Sequence, residues 1–255
     1  MAITPKKSLG QHFLVDKNII RKIVNSFTPR SSEFCIEIGP GQGALTSLLL
    51  DRCHHNILFI DTDKEAVQFL RTRFPEAQNQ FILSDFLQYD FSNIQEEKIA
   101  LIGNLPYNIS SQIFFKILDS RHRIDNGVFM IQKEVAERLV AKAGNKTYGI
   151  LSVLLQAFYD IELLFTVSPN VFHPKPNVQS AVIRITRNST KKLPCDESLF
   201  FRIVKQSFGQ RRKMLRKSLA NLLPSDSPYA TTRPEMLTIN QFIDLTTHIQ
   251  SATQP

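Results

Sequence analysis

Long apolar runs are absent from this 255-residue chain. Its longest, Ile150 to Tyr159, is too short and too interrupted to span a bilayer, so no transmembrane segment is expected. Met1 to Lys7 has no apolar centre, so no signal peptide is expected there. Cysteine is scarce. Cys35, Cys53 and Cys195 are odd in number and widely spaced, which suits a reduced cytoplasm and offers no zinc pattern. His54-His55 reads as a solvated turn, so no metal is expected. Internal repeats and low-complexity tracts are also missing. Acid is missing from one stretch in particular. None lies between Ser198 and Ser225, although Arg202, Lys205, Arg211, Arg212, Lys213, Arg216 and Lys217 all fall within it.

What is present describes a soluble globular protein, 42% hydrophobic and 21% charged. Its length suffices for a full core and a small second unit. A net charge of +8 and a pI near 9.5 favour a polyanionic partner. An anionic membrane would serve, but no basic amphipathic anchor stands out. The acid-free stretch is either a solvated helix face or a contact for RNA backbone. Such an unbalanced run repels itself without a polyanion, which favours RNA. The amino-terminal arm adds Lys6, Lys7, Lys17, Arg21 and Lys22 against one acid, Asp16.

Strand-like and helix-like segments alternate along the first half. Phe34 to Ile36, Asn56 to Ile60, Phe81 to Ser84 and Ile99 to Gly103 read as successive strands. A helix follows the fourth, through Ile109, Ile113, Phe114, Ile117 and Leu118. Gly127 to Ile131 reads as a fifth strand; Glu134 to Ala143 and Tyr148 to Ala157 read as helices. Ile161 to Val167 and Ala181 to Ile185 form the last strands with no helix between them, which predicts an antiparallel ending on a parallel sheet. Asn188 to Cys195 is polar and proline-bearing, a linker, with helices beyond it and a disordered tail from Ser251. The division is therefore 1–187 and 188–255.

The strand ends carry the chemistry. Glu37-Ile38-Gly39-Pro40-Gly41-Gln42-Gly43 is a glycine-rich turn between a strand and a helix. Gly39, Gly41 and Ala44 fit a dinucleotide fingerprint, but Glu37 would repel a pyrophosphate and suits a cofactor with a cationic centre, such as S-adenosylmethionine. Asp61 stands about 20 residues beyond the turn, where an acid binds ribose hydroxyls. Asp85 ends the third strand and could accept from the cofactor's adenine amine. Asn104-Leu105-Pro106-Tyr107 closes the fourth. The Asn104 side-chain oxygen and the Leu105 carbonyl could accept both hydrogens of an exocyclic adenine amine. Pro106 would stiffen the turn, and Tyr107 offers a stacking face for a flipped base. Taken alone, a plain strand-to-helix turn also fits these residues. Any single Asp at a strand end also fits a helix N-cap.

With these landmarks in place, the chain from Lys7 to about Leu223 resembles the ribosomal RNA adenine N6-dimethyltransferases, specifically the small-subunit 16S family. Further matching segments are Ser8-Leu9-Gly10-Gln11-His12-Phe13-Leu14, Gly103 through Ser110, Gln132-Lys133-Glu134-Val135 and Tyr148-Gly149. Phe172-His173-Pro174-Lys175-Pro176-Asn177-Val178 and Phe208-Gly209-Gln210-Arg211-Arg212-Lys213 complete the set. The resemblance implies an α/β fold: a seven-stranded Rossmann-like methyltransferase sheet with a small carboxyl-terminal helical domain that binds RNA. It implies S-adenosylmethionine as cofactor, with His12, Leu14, Gly39, Asp61, Asp85 and Asn104 around it. Asn104, Leu105, Pro106, Tyr107 and Phe172 would form the catalytic set, with Phe172 stacking on the base opposite Tyr107, although by composition alone Phe172 also fits as a plug of the core below its loop. Arg211, Arg212, Lys213, Arg216 and Lys217 would bind RNA. His12 stands where Asn is usual in the family, and Asp61 where Glu is usual.

The implied substrate is a pair of adjacent adenosines near the 3′ end of small-subunit RNA, in an immature 30S particle. The enzyme would be monomeric and cytoplasmic. Three alternatives carry different expectations. The Arg211-Arg212-Lys213 region speaks against a large-subunit enzyme of the resistance type, whose catalytic motifs would be similar. A nicotinamide oxidoreductase conflicts with Glu37. A non-enzymatic RNA-binding factor on the same scaffold would show an eroded site.

Overall fold

A computed structural model of the protein describes residues 4–6, 10–53 and 56–253. Lys7, Ser8 and Leu9 of the amino-terminal arm and the His54-His55 pair lie outside the described residues. Nine strands and nine α-helices are present among those described. In chain order, the first half runs β1 (Phe13–Leu14), α1 (Lys17–Ser26), β2 (Glu33–Ile38), α2 (Thr46–Cys53), β3 (Ile57–Asp61), α3 (Lys64–Arg73), β4 (Phe81–Leu83), β5 (Lys98–Asn104) and α4 (Ser110–Asp119). The second half runs β6 (Ile124–Gln132), α5 (Lys133–Val140), α6 (Ile150–Gln156), β7 (Tyr159–Val167), β8 (Phe172–His173), β9 (Ser180–Arg187), α7 (Glu197–Gly209), α8 (Leu215–Ser218) and α9 (Ile239–Thr253).

Seven strands form one sheet in the order β4-β3-β2-β5-β6-β9-β7. Strands β4, β3, β2, β5 and β6 are parallel neighbours, and β9 runs antiparallel to β6. The expected antiparallel ending is thus present, with β9 inserted between β6 and β7. The central strands have near-continuous apolar runs because helices cover both faces of a parallel sheet. In β5, Ile99 through Gly103 are all buried. Strand order reverses between β2 and its two neighbours, and ligands bind at such a point on the carboxyl edge.

Helix starts follow local capping chemistry. The Asp16 carboxylate accepts from Asn18 N and Ile19 N at 2.8 and 2.9 Å and opens α1. Asp63 accepts from Glu65 N at 3.0 Å and opens α3. Helix α4 buries Ile113, Phe114, Ile117 and Leu118, the face its spacing predicts. Cys35 and Cys53, distant in sequence, come within side-chain hydrogen-bonding reach, which with burial pushes the Cys35 thiol up. No helix among the described residues is long and apolar enough to cross a membrane.

The chain divides into two compact units. One holds Met1–Ala136 and Ile161–Arg187; the other holds Glu137–Asp160 together with Asn188 to the end. The single boundary expected after Arg187 therefore misses an excursion. Residues 137–160 sit with the carboxyl-terminal helices because their apolar side chains pack there. Tyr148 meets Phe208 at 6.1 Å between ring centroids, and Phe208 in turn meets Phe242. Beyond residue 188 the chain is less helical than expected. Gln210 to Lys213 is a turn and α8 is a single turn long. Ser251 to Thr253 continue α9, contrary to the expected disordered tail.

Candidate active site

The turn after β2 is built on left-handed glycines, Gly39 at φ 65° and Gly41 at φ 55°. A Cβ on Gly39 would meet nothing within 4 Å, since Gly39 faces open space. A Cβ on Gly41 would lie 3.0 Å from the Phe13 ring, because β1 packs directly over the turn. Between them lies a cavity of about 410 Å³. Its walls bring together nine of the residues singled out in the sequence: His12, Leu14, Gly39, Asp61, Asp85, Asn104, Leu105, Pro106 and Tyr107. They come from the ends of β2, β3, β4 and β5 and from the amino-terminal segment, and they meet because parallel strands bring their carboxyl ends to one edge.

Two buried carboxyls shape the electrostatics of the cavity floor. Glu37 is buried in β2, where Thr46 Oγ1 donates to it at 2.7 Å. Burial pushes its carboxyl up to about 8, with the Thr46 bond opposing and the Asp61 charge reinforcing. Asp61 is 7% exposed. It accepts from Gly41 N at 3.1 Å and from Asp63 N at 2.9 Å. Burial raises it, against those backbone donors. Asp61 thus clamps the glycine turn through Gly41 N while lining the cavity. Exposed Asp85 accepts from Leu87 N at 2.9 Å through one oxygen, leaving the other uncommitted to that turn.

Asn104 is held by the amino-terminal segment. Its Nδ2 donates to the His12 carbonyl at 3.0 Å. A carbonyl only accepts, so this bond assigns the amide orientation and turns Oδ1 the other way. The His12 ring stacks on Tyr107 at 5.5 Å, and its Nδ1 lies 2.8 Å from the Pro174 carbonyl, to which it must donate. Tyr107 Oη and Ser180 Oγ, on β9, are 2.6 Å apart. Burial raises the Tyr107 hydroxyl, which keeps it neutral.

The segment over the cavity is latched at its start. Lys6 Nζ reaches Asp63 at 2.7 Å and Gln11 Nε2 reaches it at 3.3 Å. Burial opposes ionisation of Asp63, but these donors and Glu65 N outweigh it and hold the carboxyl below its ordinary value. Neither Asp63 nor Ser180 was found from the sequence. Asp63 could have been read from its spacing to Asp61 as an N-cap; Ser180 carries no sequence signal.

Phe172 is the residue the structure places elsewhere. It is 5% exposed, sits in the core cluster with Leu14, Val24 and Val182, and does not line the cavity. Strand β8 pairs with β1, matching Leu14 to Phe172 and Phe13 to His173. Pleating then turns Phe172 inward and the exposed His173 outward. The expected stacking platform opposite Tyr107 is a core side chain.

The model for ribosomal RNA adenine dimethylases matches residues 3–251. This chain belongs to that family. Its relatives include a ribosomal RNA small subunit methyltransferase A from Parabacteroides distasonis, 51% identical over 249 residues, covering 96% of this chain and 93% of that one. The protein of the same description from Porphyromonas gingivalis is 49% identical over 257 residues, covering 98% and 99%. Among solved structures, the dimethylase chain is similar to a dimethyladenosine transferase from Plasmodium falciparum, with a TM-score of 0.78 and 23% identity over 94% of this chain and 98% of that one. It is also similar to a 23S rRNA methyltransferase, with a TM-score of 0.69 and 24% identity over 92% and 99%. At these identities the structural likeness concerns the fold, the seven-stranded Rossmann-like methyltransferase architecture.

The dimethylase's second unit carries the basic cluster. Arg212, Lys213, Arg216 and Lys217 are exposed, and Arg211 is half-buried, donating to the Asn145 carbonyl at 3.4 Å. Leu215 N and Arg216 N donate to the carbonyls of Thr232 and Ala230, which fixes the backbone beneath the charges.

Proposed function

We propose that the protein transfers methyl groups from S-adenosylmethionine to the N6 amines of two adjacent adenosines near the 3′ end of small-subunit ribosomal RNA, giving N6,N6-dimethyladenosine. The observation that carries this is the orientation of Asn104, whose Nδ2 is committed to the His12 carbonyl so that Oδ1 is left to accept. The small-subunit description of the relatives favours this substrate over large-subunit RNA.

The cavity suits the cofactor. Gly39 leaves room for close approach, buried Glu37 favours a cationic ligand, and Asp61 and Asp85 offer acceptors for ribose hydroxyls and an adenine amine. When bound there, the cofactor supplies an electrophilic methyl on its sulfonium. The rest belongs to the protein. An adenine amine is a poor nucleophile because its lone pair is delocalised into the ring. Asn104 Oδ1 and the Leu105 carbonyl would accept its hydrogens and favour a pyramidal nitrogen. Tyr107, held by Ser180 and His12, would present its ring to the flipped base. Fixed orientation at near-attack distance supplies much of the rate. Each transfer releases one N6 proton to solvent, so after the first one amine hydrogen remains for the two acceptors, and contacts to the ring face tolerate the added methyl. Arg211, Arg212, Lys213, Arg216 and Lys217 would hold RNA phosphates.

The test is methyl transfer from labelled cofactor to small-subunit particles taken from a strain lacking the enzyme, with nucleosides mapped by mass spectrometry. Dimethyladenosine at two neighbouring positions is expected. Only monomethyladenosine, or marks on large-subunit RNA, would overturn the assignment.

A further inference from the structure

A second cleft, of about 310 Å³, opens beside the cavity in the same unit. Leu14, Gln42 and Ala44 contribute to both, so strand β1 and the glycine turn form the wall between them. Among the described residues its charged lining is Lys17, Arg21 and Arg73, with no carboxylate. Asp16, the nearest acid in sequence, is turned into its own helix cap.

The three cations are not equivalent to a solvated helix face. Lys17 and Arg21 stand one turn apart on α1, on the cleft side. Arg73 comes from the end of α3, across the cleft. Its guanidinium is anchored by one nitrogen, which donates to the Gln42 carbonyl at 2.9 Å, and lies 5.1 Å over the Phe74 ring. Four of its five N–H donors remain outside that bond. Lys22, by contrast, is drawn away to the Phe165 ring at 3.9 Å and does not line the cleft. Val15, 56% exposed, adds an apolar surface within it. Converging cations from two helices, one of them preset, with an apolar wall, suit a phosphodiester and its sugar.

We propose that this cleft binds the RNA backbone flanking the target nucleotide, as a second phosphate site on the methyltransferase unit. The identity of the RNA rests on the functional reading given above; the ligand chemistry does not. A strand with one base inserted at Asn104 continues beyond the cavity mouth, and the cleft places fixed positive charge next to it. The like charges of Lys17, Arg21 and Arg73 are then neutralised by the substrate.

The test is Lys17→Glu with Arg21→Glu in the full chain. Both side chains are exposed, and Glu at the first position of α1 suits the helix dipole, so folding should hold. Arg73→Ala is the second variant, and the thermal midpoint of each is measured. Lys191→Glu with Lys192→Glu, exposed in the other unit, is the control with the same change of net charge. Binding of a hairpin RNA from the small-subunit 3′ end is followed across a salt series, and S-adenosylmethionine binding by calorimetry. The cleft variants should bind RNA roughly 10-fold more weakly, with a salt slope shallower by about 0.7 to 0.9 for each phosphate no longer neutralised, and the Lys17/Arg21 pair variant should keep cofactor affinity. An unchanged affinity and slope, an equal weakening in the control, or a parallel drop in cofactor binding by the Lys17/Arg21 pair variant would overturn the proposal. RNA binding is read without turnover. If the wild type fails to methylate small-subunit particles while the cleft variants still bind RNA less tightly, the function reading fails and the cleft stands.

Discussion

Asn104 Nδ2 donates to the main-chain carbonyl of His12 across 3.0 Å, although 92 residues separate them in the chain. On the proposed mechanism, the residue that would accept from the substrate amine is oriented by the amino-terminal segment beside the cavity. Placement of that segment and alignment of the nucleophile would then be coupled.

Asn104→Ala should lower turnover by at least roughly 100-fold while leaving the fold intact, since the side chain is only half-buried. Asn104→Asp should be comparably impaired, because one carboxylate oxygen would face the His12 carbonyl. Single-turnover methyl transfer with saturating RNA checks both. Near-wild-type rates in either variant would remove Asn104 from the mechanism.

Glu37 makes the protein pH-sensitive in a definite direction. Its ordinary value of 4.5 is raised to about 8 in the fold, so the unfolded chain ionises first. Stability should therefore fall as pH rises through this window and level off above it. Glu37→Gln should flatten that slope and be more stable at high pH, by an amount on the order of 5 kcal/mol. A cationic cofactor reverses the preference, so its binding should release a proton between those values. Thermal midpoints against pH, and calorimetry in buffers of different ionisation enthalpy, read the two effects.

Phe172→Ala should act on stability before it acts on chemistry. Truncating a buried Phe in a packed core costs about 3 to 5 kcal/mol. Denaturant unfolding should show that drop. An unchanged midpoint with a selective fall in turnover would restore the stacking role that burial denies.

Asp63→Asn should keep the cap of α3, since Asn caps as well as Asp, but remove the nearer of the two carboxylates that Lys6 pairs with, leaving Glu65 at 3.2 Å. The amino-terminal latch should loosen. Cofactor affinity should fall several-fold, roughly 1 kcal/mol, with faster proteolysis ahead of β1. The lowered carboxyl of the wild type also means that latching is complete above the ordinary carboxylate value and is lost only as pH falls through the lower value that Asp63 has in the fold.

Arg211→Ala, Arg212→Ala and Lys213→Ala together should weaken RNA binding and leave cofactor affinity alone. Each phosphate that these side chains no longer neutralise should make the salt slope shallower by about 0.7 to 0.9. An unchanged slope would mark this turn as a solvated surface.

The alternation of strand-like and helix-like segments was enough to place the sheet, its antiparallel ending and most of the cavity wall. In an alternating β/α chain, polar residues just past each strand converge on one edge, so Gly39, Asp61, Asp85 and Asn104 had to meet. Apolar period located the elements it named to within a few residues, while α1 and α3 were not named. Other features depend on contacts between segments far apart in the chain, and only the folded molecule shows them. A two-residue strand has no period from which its inward face can be read, so the burial of Phe172 followed only from pairing with β1. The orientation of Asn104 came from a distant carbonyl, and the protonation of Glu37 from burial. Residues 137–160 joined the second unit because their apolar faces fit its helices, a match that local pattern does not record.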